Sequence, residues 1–355
     1  MENSVLVSVI IPVFNTAQYL VEALDSAIHQ TYEKLEIIII DDGSTDDSGK
    51  MCDEYARIDE RVVVVHQHNS GLSVARNVGL NMMTGEAVAF LDSDDAYHPD
   101  FIRIMVEALI REKTDLVICR YITHSETGNM TRNGMEKVYP SIEKGLYNRE
   151  IALQALAEKR INNHVWNKLY SASLWKDICF PEGHVFEDID TTFRILDRCE
   201  RICAVEDVLC LKRIHPGSIS GTFTQQNIND WILAHKHFDS FVEKNTPDVF
   251  TEEQLIKFRQ EIVQNLIEFY RHYSQKKSVH NESFLNDMRK QIVEIGARIG
   301  IGEAGFRRKT FYQLICYCPW LLRTIYPAYR SVRQTVKSVV KRSSISSESD
   351  QKLTP

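Results

Sequence analysis

The sequence has little of what marks a secreted, membrane-spanning or nucleic-acid-binding protein. Its eight cysteines include no Cys-x-x-Cys pair, and Met1 leads straight into an apolar strand pattern without a secretory signal. We therefore expect reduced thiols in a cytoplasmic protein. The net charge of −7 argues against general nucleic-acid binding. The apolar stretch from Leu314 to Leu322 is far shorter than the ~20 residues that span a bilayer.

Common nucleotide-binding motifs are also absent or misplaced. The sequence contains no Gly-x-x-x-x-Gly-Lys-Ser/Thr, which excludes a P-loop. Residues 300–305 match Gly-x-Gly-x-x-Gly, but they follow a helical pattern and not a strand. We interpret them as a loop between helices and not as a dinucleotide site.

The first ~120 residues alternate strand and helix signals. Apolar runs predict strands at 7–11, 35–40, 62–65, 87–91 and 115–119, and residues with helical spacing separate them. This alternation predicts an α/β fold with a mostly parallel sheet, flanked by helices and joined by right-handed crossovers. With 355 residues, 43% of them hydrophobic, the chain can bury a large core, and we expect one catalytic domain plus an appendage.

The densest chemistry follows the fourth predicted strand, where an apolar run ends in Asp92, Asp94 and Asp95. Carboxylates so close together repel one another, and a hard divalent cation is the usual remedy. The alternative is an Asp-rich turn that caps the next helix. Because parallel strands end at one edge of a sheet, we expect these acids to lie near Asp41 and Asp42.

Several motifs in order resemble family 2 glycosyltransferases, which are inverting enzymes with the GT-A fold. The nucleotide-sugar half is matched by PVFN at 12–15, DDGSTD at 41–46, GLSVARN at 71–77 and FLDSDD at 90–95. The acceptor half is matched by VWNKLY at 165–170, FED at 186–188 and HPGSIS at 215–220. The resemblance covers roughly the first 225 residues, and no single motif carries it.

The resemblance implies a role for each matched residue on the donor side. Asp94 would hold Mn²⁺ or Mg²⁺ across the diphosphate, with Asp92 near the ribose or behind the metal ligands. Asp42 would bond the uracil edge, whereas Asp41 is a strand-end or capping residue. Arg76 would neutralise the nucleotide's charge, the alternative being a surface salt bridge. The nucleotide-sugar contacts implied are Pro12, Phe14, Asn15, Asp42, Arg76, Asp92 and Asp94.

The resemblance also assigns the acceptor side. Asp188 is the implied general base, and Asp190, two residues away, is the competing candidate. Trp166, Lys168 and Glu187 are the implied acceptor-side residues, although Trp166 could also belong to the core. His215 is a candidate third metal ligand or phosphate contact, or else a solvated loop histidine.

The domain prediction has four parts. Residues 1–225 form the GT-A catalytic domain, with a nucleotide-sugar half at 1–120 and an acceptor half at 121–225. Residues 226–305 form a helical extension, and 343–355 form a disordered tail. Residues 306–342 contain nine Lys/Arg and no Asp or Glu, with interleaved aromatics. This composition suits the anionic inner face of the cell membrane, and the alternative is a basic helix folded onto the protein's own acidic surface.

These observations predict a metal-dependent enzyme that moves a single sugar from a UDP-sugar to a glycan acceptor. A lipid-linked oligosaccharide of cell-surface polysaccharide synthesis is the expected acceptor. Trp231 lacks the Gln-x-x-Arg-Trp context of processive synthases, which favours single addition. The alternatives are a nucleotidyltransferase and a catalytically silent nucleotide-binding partner of a glycosyltransferase complex.

Overall fold

A computed structural model describes residues 5–125, 138–139, 142–215, 224–274, 281–299 and 306–317. The chain divides into two compact units, residues 1–251 and residues 252–355. Helix α7 (Gln225–Asn245) lies in the first unit, although the sequence-based division assigns it to the helical extension.

The first unit opens with the predicted alternation of strands and helices. Its elements in chain order are β1 (Val7–Val13), α1 (Ala17–Ile28), β2 (Leu35–Asp41), α2 (Ser48–Ile58), β3 (Val62–His66), α3 (Leu72–Met82) and β4 (Ala87–Phe90). Every residue of β1 is buried, as expected of a strand covered on both faces. On α1, Leu20, Ala23, Leu24 and Ala27 form the buried face at helical spacing.

These four strands are parallel neighbours in the order β3-β2-β1-β4. Val13 at the end of β1 pairs with Asp41 at the end of β2, and Ile10 pairs with Phe90 at the end of β4. The loops that follow the three strands therefore meet at one edge of the sheet. The expected common edge for the two acidic clusters is confirmed.

The rest of the first unit extends this sheet. Its further elements are β5 (Ala96–Tyr97), α4 (Phe101–Glu112), β6 (Leu116–Ser125), β7 (Val138–Tyr139), β8 (Gly145–Tyr147), α5 (Arg149–Ala157), β9 (Lys168–Ser171), a 3₁₀ turn (Ala172–Trp175), α6 (Glu187–Arg198) and β10 (Ile202–Ile214). Strand β9 runs antiparallel between β4 and β6, and β10 is parallel to β6. The α/β prediction is confirmed, with a sheet that is mixed beyond β4.

The second unit contains α8 (Glu252–Ser274), α9 (Asn281–Arg298) and α10 (Phe306–Tyr317). Ile262, Leu266 and Tyr270 are buried on α8 at helical spacing, as the amphipathic pattern predicts. In the part of the chain that the structure describes, no helix is both long and apolar enough to cross a membrane. The predicted loop at 300–305 and residues 318–355 lie outside the described residues.

Candidate active site

Three carboxylates converge directly after β4. Asp92, Asp94 and Asp95 each offer an oxygen, and these oxygens lie within 4.8 Å of one another. The turn that gathers them is closed by the amide of Asp95, which donates to the Asp92 carbonyl at 3.0 Å. An all-oxygen donor set of this size fits a hard divalent cation.

The electrostatics of the cluster also fit a cation. Burial and the charge of Asp92 raise the pKa of Asp94. Burial, with the charges of Asp92 and Asp94, raises the pKa of Asp95 well above its ordinary value. Asp94 and Asp95 are thus harder to ionise because of burial and of their charged neighbours, and a bound cation would relieve that repulsion.

The end of β10 brings basic groups to the same cluster. His215 Nε2 lies 2.9 Å from Asp94 Oδ2, and its side chain is only 10% exposed, unlike a solvated loop histidine. Arg213 donates its amide to Asp95 Oδ1 at 2.8 Å and its Nε to the Asp94 carbonyl at 3.1 Å. Arg213 belongs to none of the matched motifs and was missed in the sequence analysis. Whether His215 contacts a metal or a phosphate stays a prediction, and residues 216–220 of its motif lie outside the described part of the chain.

The loop after β1 is tied to the loop after β2. Asn15 has a left-handed backbone (φ 51°), and its Oδ1 accepts from the amide of Thr45 at 2.7 Å. Phe14 beside it is 44% exposed, so its ring is available at the strand edge, whereas Pro12 is buried within β1. Phe14 is therefore accessible at the strand edge, and Asn15 holds the two loops together. The ligand contacts implied for both residues stay predictions.

Asp42 is buried and organises the entry to α3. Its carboxylate accepts from Gln67 Nε2 at 2.7 Å and from the amides of Ser70 and Gly71 at 2.8 Å each. Gly71 has φ 92°, a conformation that favours glycine. Asp41 accepts from the Ser44 amide at 3.0 Å, which agrees with a capping role. The uracil contact implied for Asp42 stays a prediction.

Arg76 connects the acidic cluster to the start of helix α6. It is 2% exposed, donates to Asp92 Oδ1 at 2.7 Å and to Glu187 Oε1 at 2.5 Å, and lies 5.3 Å from the ring centroid of Phe180. Its ion pair with Glu187 is therefore buried and its ion pair with Asp92 is partly buried, so the alternative of a surface salt bridge does not describe Arg76. Glu187 is the first residue of α6 and immediately precedes Asp188.

Asp188 and Asp190 have different surroundings on α6. Asp188 Oδ2 lies 3.7 Å from His164 Nδ1, and its side chain is 22% exposed. Burial acts to raise the pKa of Asp188, but His164 and Arg76 outweigh it and hold that pKa below its ordinary value. Asp190 is buried and accepts from Arg194 Nη2 and His237 Nδ1, each at 2.6 Å. Asp188 therefore remains the more accessible carboxylate, in an ionised form.

Trp166 and Lys168 lie beneath the acceptor side. Trp166 is 3% exposed and belongs to the hydrophobic core, and its ring stacks on His164 with centroids 5.1 Å apart. The Lys168 side chain is fully buried, and that burial lowers the pKa of its ammonium to about 7. Both residues belong to the VWNKLY motif and were identified from it. His164, which directly precedes the motif, was missed.

Comparison with known proteins identifies the family. Residues 8–178 match the family described as Glycosyl transferase family 2. Putative glycosyltransferase EpsH of Bacillus subtilis is 34% identical over 245 residues, which cover 67% of this chain and 70% of EpsH. Glycosyltransferase GlyA of Streptococcus pneumoniae is 34% identical over 249 residues, 68% of this chain but only about a third (34%) of GlyA.

The fold is shared with a solved structure, S. aureus TarS 1-349 in complex with UDP-GlcNAc. The two chains superpose with a TM-score of 0.65 over 92% of this chain and 91% of TarS, at 19% identity. At that identity the likeness establishes the GT-A-like fold alone. Together with the family match and the two relatives, it shows that this chain is a glycosyltransferase and belongs to Glycosyl transferase family 2.

Proposed function

We propose that this enzyme transfers a single sugar from a UDP-sugar to a glycan acceptor, with inversion and with the help of Mn²⁺ or Mg²⁺. The observation that carries the proposal is the buried Arg76, which joins Asp92 of the acidic cluster to Glu187 beside Asp188. A donor-side cation site and a candidate base thus belong to one connected site. Family membership argues against the nucleotidyltransferase alternative.

The donor side would bind the nucleotide diphosphate. Asp94 and Asp92 would hold the cation, which when bound neutralises the charge that develops on the leaving diphosphate. Phe14 offers an exposed ring at the strand edge to the base, and Asp42 lies at the neighbouring strand end. The UDP-GlcNAc bound by the structurally similar TarS supports a UDP-sugar as the donor class.

Asp188 would act as the general base. A sugar hydroxyl is a weak nucleophile, so a carboxylate within hydrogen-bond reach takes its proton as the new bond forms. Asp188 suits this role because its side chain is partly exposed and its carboxylate is ionised, whereas both oxygens of Asp190 already accept hydrogen bonds. Attack on the anomeric carbon from the face opposite the diphosphate inverts the configuration.

The acceptor would be a lipid-linked oligosaccharide at the inner face of the cell membrane. The support is compositional: residues 306–342 carry nine Lys/Arg and no acidic residue. Flotation of the full chain with vesicles that contain anionic lipid tests this placement. A chain that stays at the bottom of the gradient at low salt would remove the membrane from the proposal.

The decisive experiment measures UDP release from a panel of UDP-sugars with Mn²⁺, Mg²⁺ or EDTA. We expect metal-dependent release from one donor and its loss in Asp94→Ala. Asp47→Ala is the matched control, because Asp47 has a side chain that is 75% exposed and pairs with Lys50 at the surface. Release that is equal in EDTA, or retained by Asp94→Ala, would contradict the metal role. Failure to bind UDP with metal would contradict the donor class and the roles proposed for Asp42 and Asp94.

A further inference from the structure

Side chains hold three successive carbonyl groups just before the VWNKLY motif. Lys168 Nζ donates to the carbonyls of Asn162, at 2.9 Å, and of His164. Thr192 Oγ1, one turn after Asp188 on α6, donates to the carbonyl of Asn163 at 2.7 Å. The segment is therefore fixed to β9 on one side and to the helix of the candidate base on the other.

This arrangement gives the His164 ring a defined place. The ring lies at 15° to Trp166, and Tyr121 contacts it edge-on with centroids 5.8 Å apart. Nδ1 faces Asp188 Oδ2 at 3.7 Å, and Nε2 faces Lys212 Nζ at 3.5 Å. The distance to Asp188 exceeds a hydrogen bond, as catalytic contacts often do before substrate is bound.

The two neighbours dictate which ring nitrogen carries the proton. An ammonium group has only donors, so Nε2 facing Lys212 must be the acceptor. The proton of a neutral imidazole then lies on Nδ1, which points to the Asp188 carboxylate. Burial and the charge of Lys212 lower the pKa of His164, which keeps the ring neutral at pH 7.

We propose that His164 is a positioning residue for Asp188. The Nδ1–H of His164 holds one oxygen of the Asp188 carboxylate and leaves that carboxylate ionised and aimed at the acceptor hydroxyl. This inference rests on the proposed role of Asp188 as the base. His164 itself neither gains nor loses a proton during transfer. The charged or titratable groups facing the ring are Asp188 from α6, Lys212 from β10, Tyr121 from β6 and, at its backbone carbonyl, Lys168 from β9.

A direct test needs no substrate. The full chain is labelled with ¹⁵N-histidine, and the His164 resonances, among those of 12 histidines, are identified by their loss in His164→Asn. We expect a neutral ring with the proton on Nδ1 at pH 7, and a higher His164 pKa in Lys212→Met because a nearby positive charge has been removed. A proton on Nε2, or a doubly protonated ring at pH 7, would overturn the proposal.

A kinetic test separates this inference from the proposed function. His164→Phe keeps the stacking but removes the hydrogen-bond donor, so kcat should fall about 10- to 100-fold. The KM for the UDP-sugar should be nearly unchanged. The acidic limb of the pH profile should also move to higher pH, because Asp188 loses a group that lowers its pKa. His164→Asn, whose amide imitates Nδ1–H, should restore part of the rate, and His29→Asn on the exposed end of α1 is the control.

The outcomes are distinct. Asp188→Asn that retains turnover would refute the proposed base, whatever the tautomer of His164. An inactive Asp188→Asn together with a His164→Phe variant of normal kcat and unmoved acidic limb would refute only the positioning role. A mere structural role for His164 would lower the yield of folded protein without moving the pH profile.

Discussion

The proposed donor edge and the proposed acceptor side of this enzyme are built differently. At the donor edge, Asp42 and the Asp92–Asp95 turn come directly after the strands that position them, so neighbours in sequence are neighbours in the site. The proposed acceptor side gathers residues 121, 164, 188 and 212 from three elements, β6, α6 and β10, and from the loop before β9. Local motifs are enough to place the carboxylates of a strand-end cluster beside one another, whereas they do not show which neighbours tertiary packing brings to Asp188.

The sharpest way to test this contrast is to separate Asp188 from Asp190, which the sequence alone leaves as alternatives. Asp188→Asn should lower transfer by about 10²- to 10⁴-fold while UDP binding is retained, because only the proton acceptor is removed. Asp190→Asn should keep most turnover and unfold at a lower temperature, since it weakens the bonds to Arg194 and His237. Turnover assays and thermal unfolding of both variants distinguish the two aspartates. A larger loss of turnover in Asp190→Asn than in Asp188→Asn would assign the base to Asp190.

A second experiment breaks the link between the two sides. Arg76→Met leaves the carboxylates of Asp92 and Glu187 without their shared buried guanidinium, and we expect a loss of about 3–5 kcal/mol in unfolding free energy. Arg103→Met on α4 removes two exposed ion pairs, to Asp100 and Glu107, and should cost much less because solvent screens exposed charges. Urea unfolding measures both. Equal losses would mean that burial adds nothing to the Arg76 pairs.

The smallest expected effect is the pH dependence of the unfolding free energy that arises from the buried Lys168. Burial lowers the pKa of Lys168 to about 7 from 10.5 in the unfolded chain, so between these values the unfolded state binds more protons. The Lys168 contribution to stability should therefore grow as pH rises from 7 to 10, by at most about 1.4 kcal/mol per unit. The unfolding free energy of the native chain minus that of Lys168→Met, measured from pH 6 to 9, should rise. A flat difference would mean that Lys168 keeps its ordinary pKa.

Most of the first unit could be predicted from the sequence. The apolar runs of β1, β2 and β4 predict a parallel sheet. The positions of the two acidic clusters, at the carboxyl ends of these strands, predict that both lie at one edge of the sheet. The sequence could not show that Arg76 is buried between both halves, because Glu187 lies 111 residues further along the chain. The contacts of His164 could not be predicted either, since Asp188 and Lys212 approach it only after β9, α6 and β10 have packed.

The three fixed carbonyls before the VWNKLY motif have a consequence for protein engineering. A backbone amide or carbonyl that loses its partner inside a protein carries a large energetic penalty. An insertion or deletion within residues 162–164 would misalign partners on β9 and α6 at the same time. Attempts to engineer this part of the chain should therefore replace side chains around the segment and keep its length, because its main chain is bound to β9 and to α6 at once.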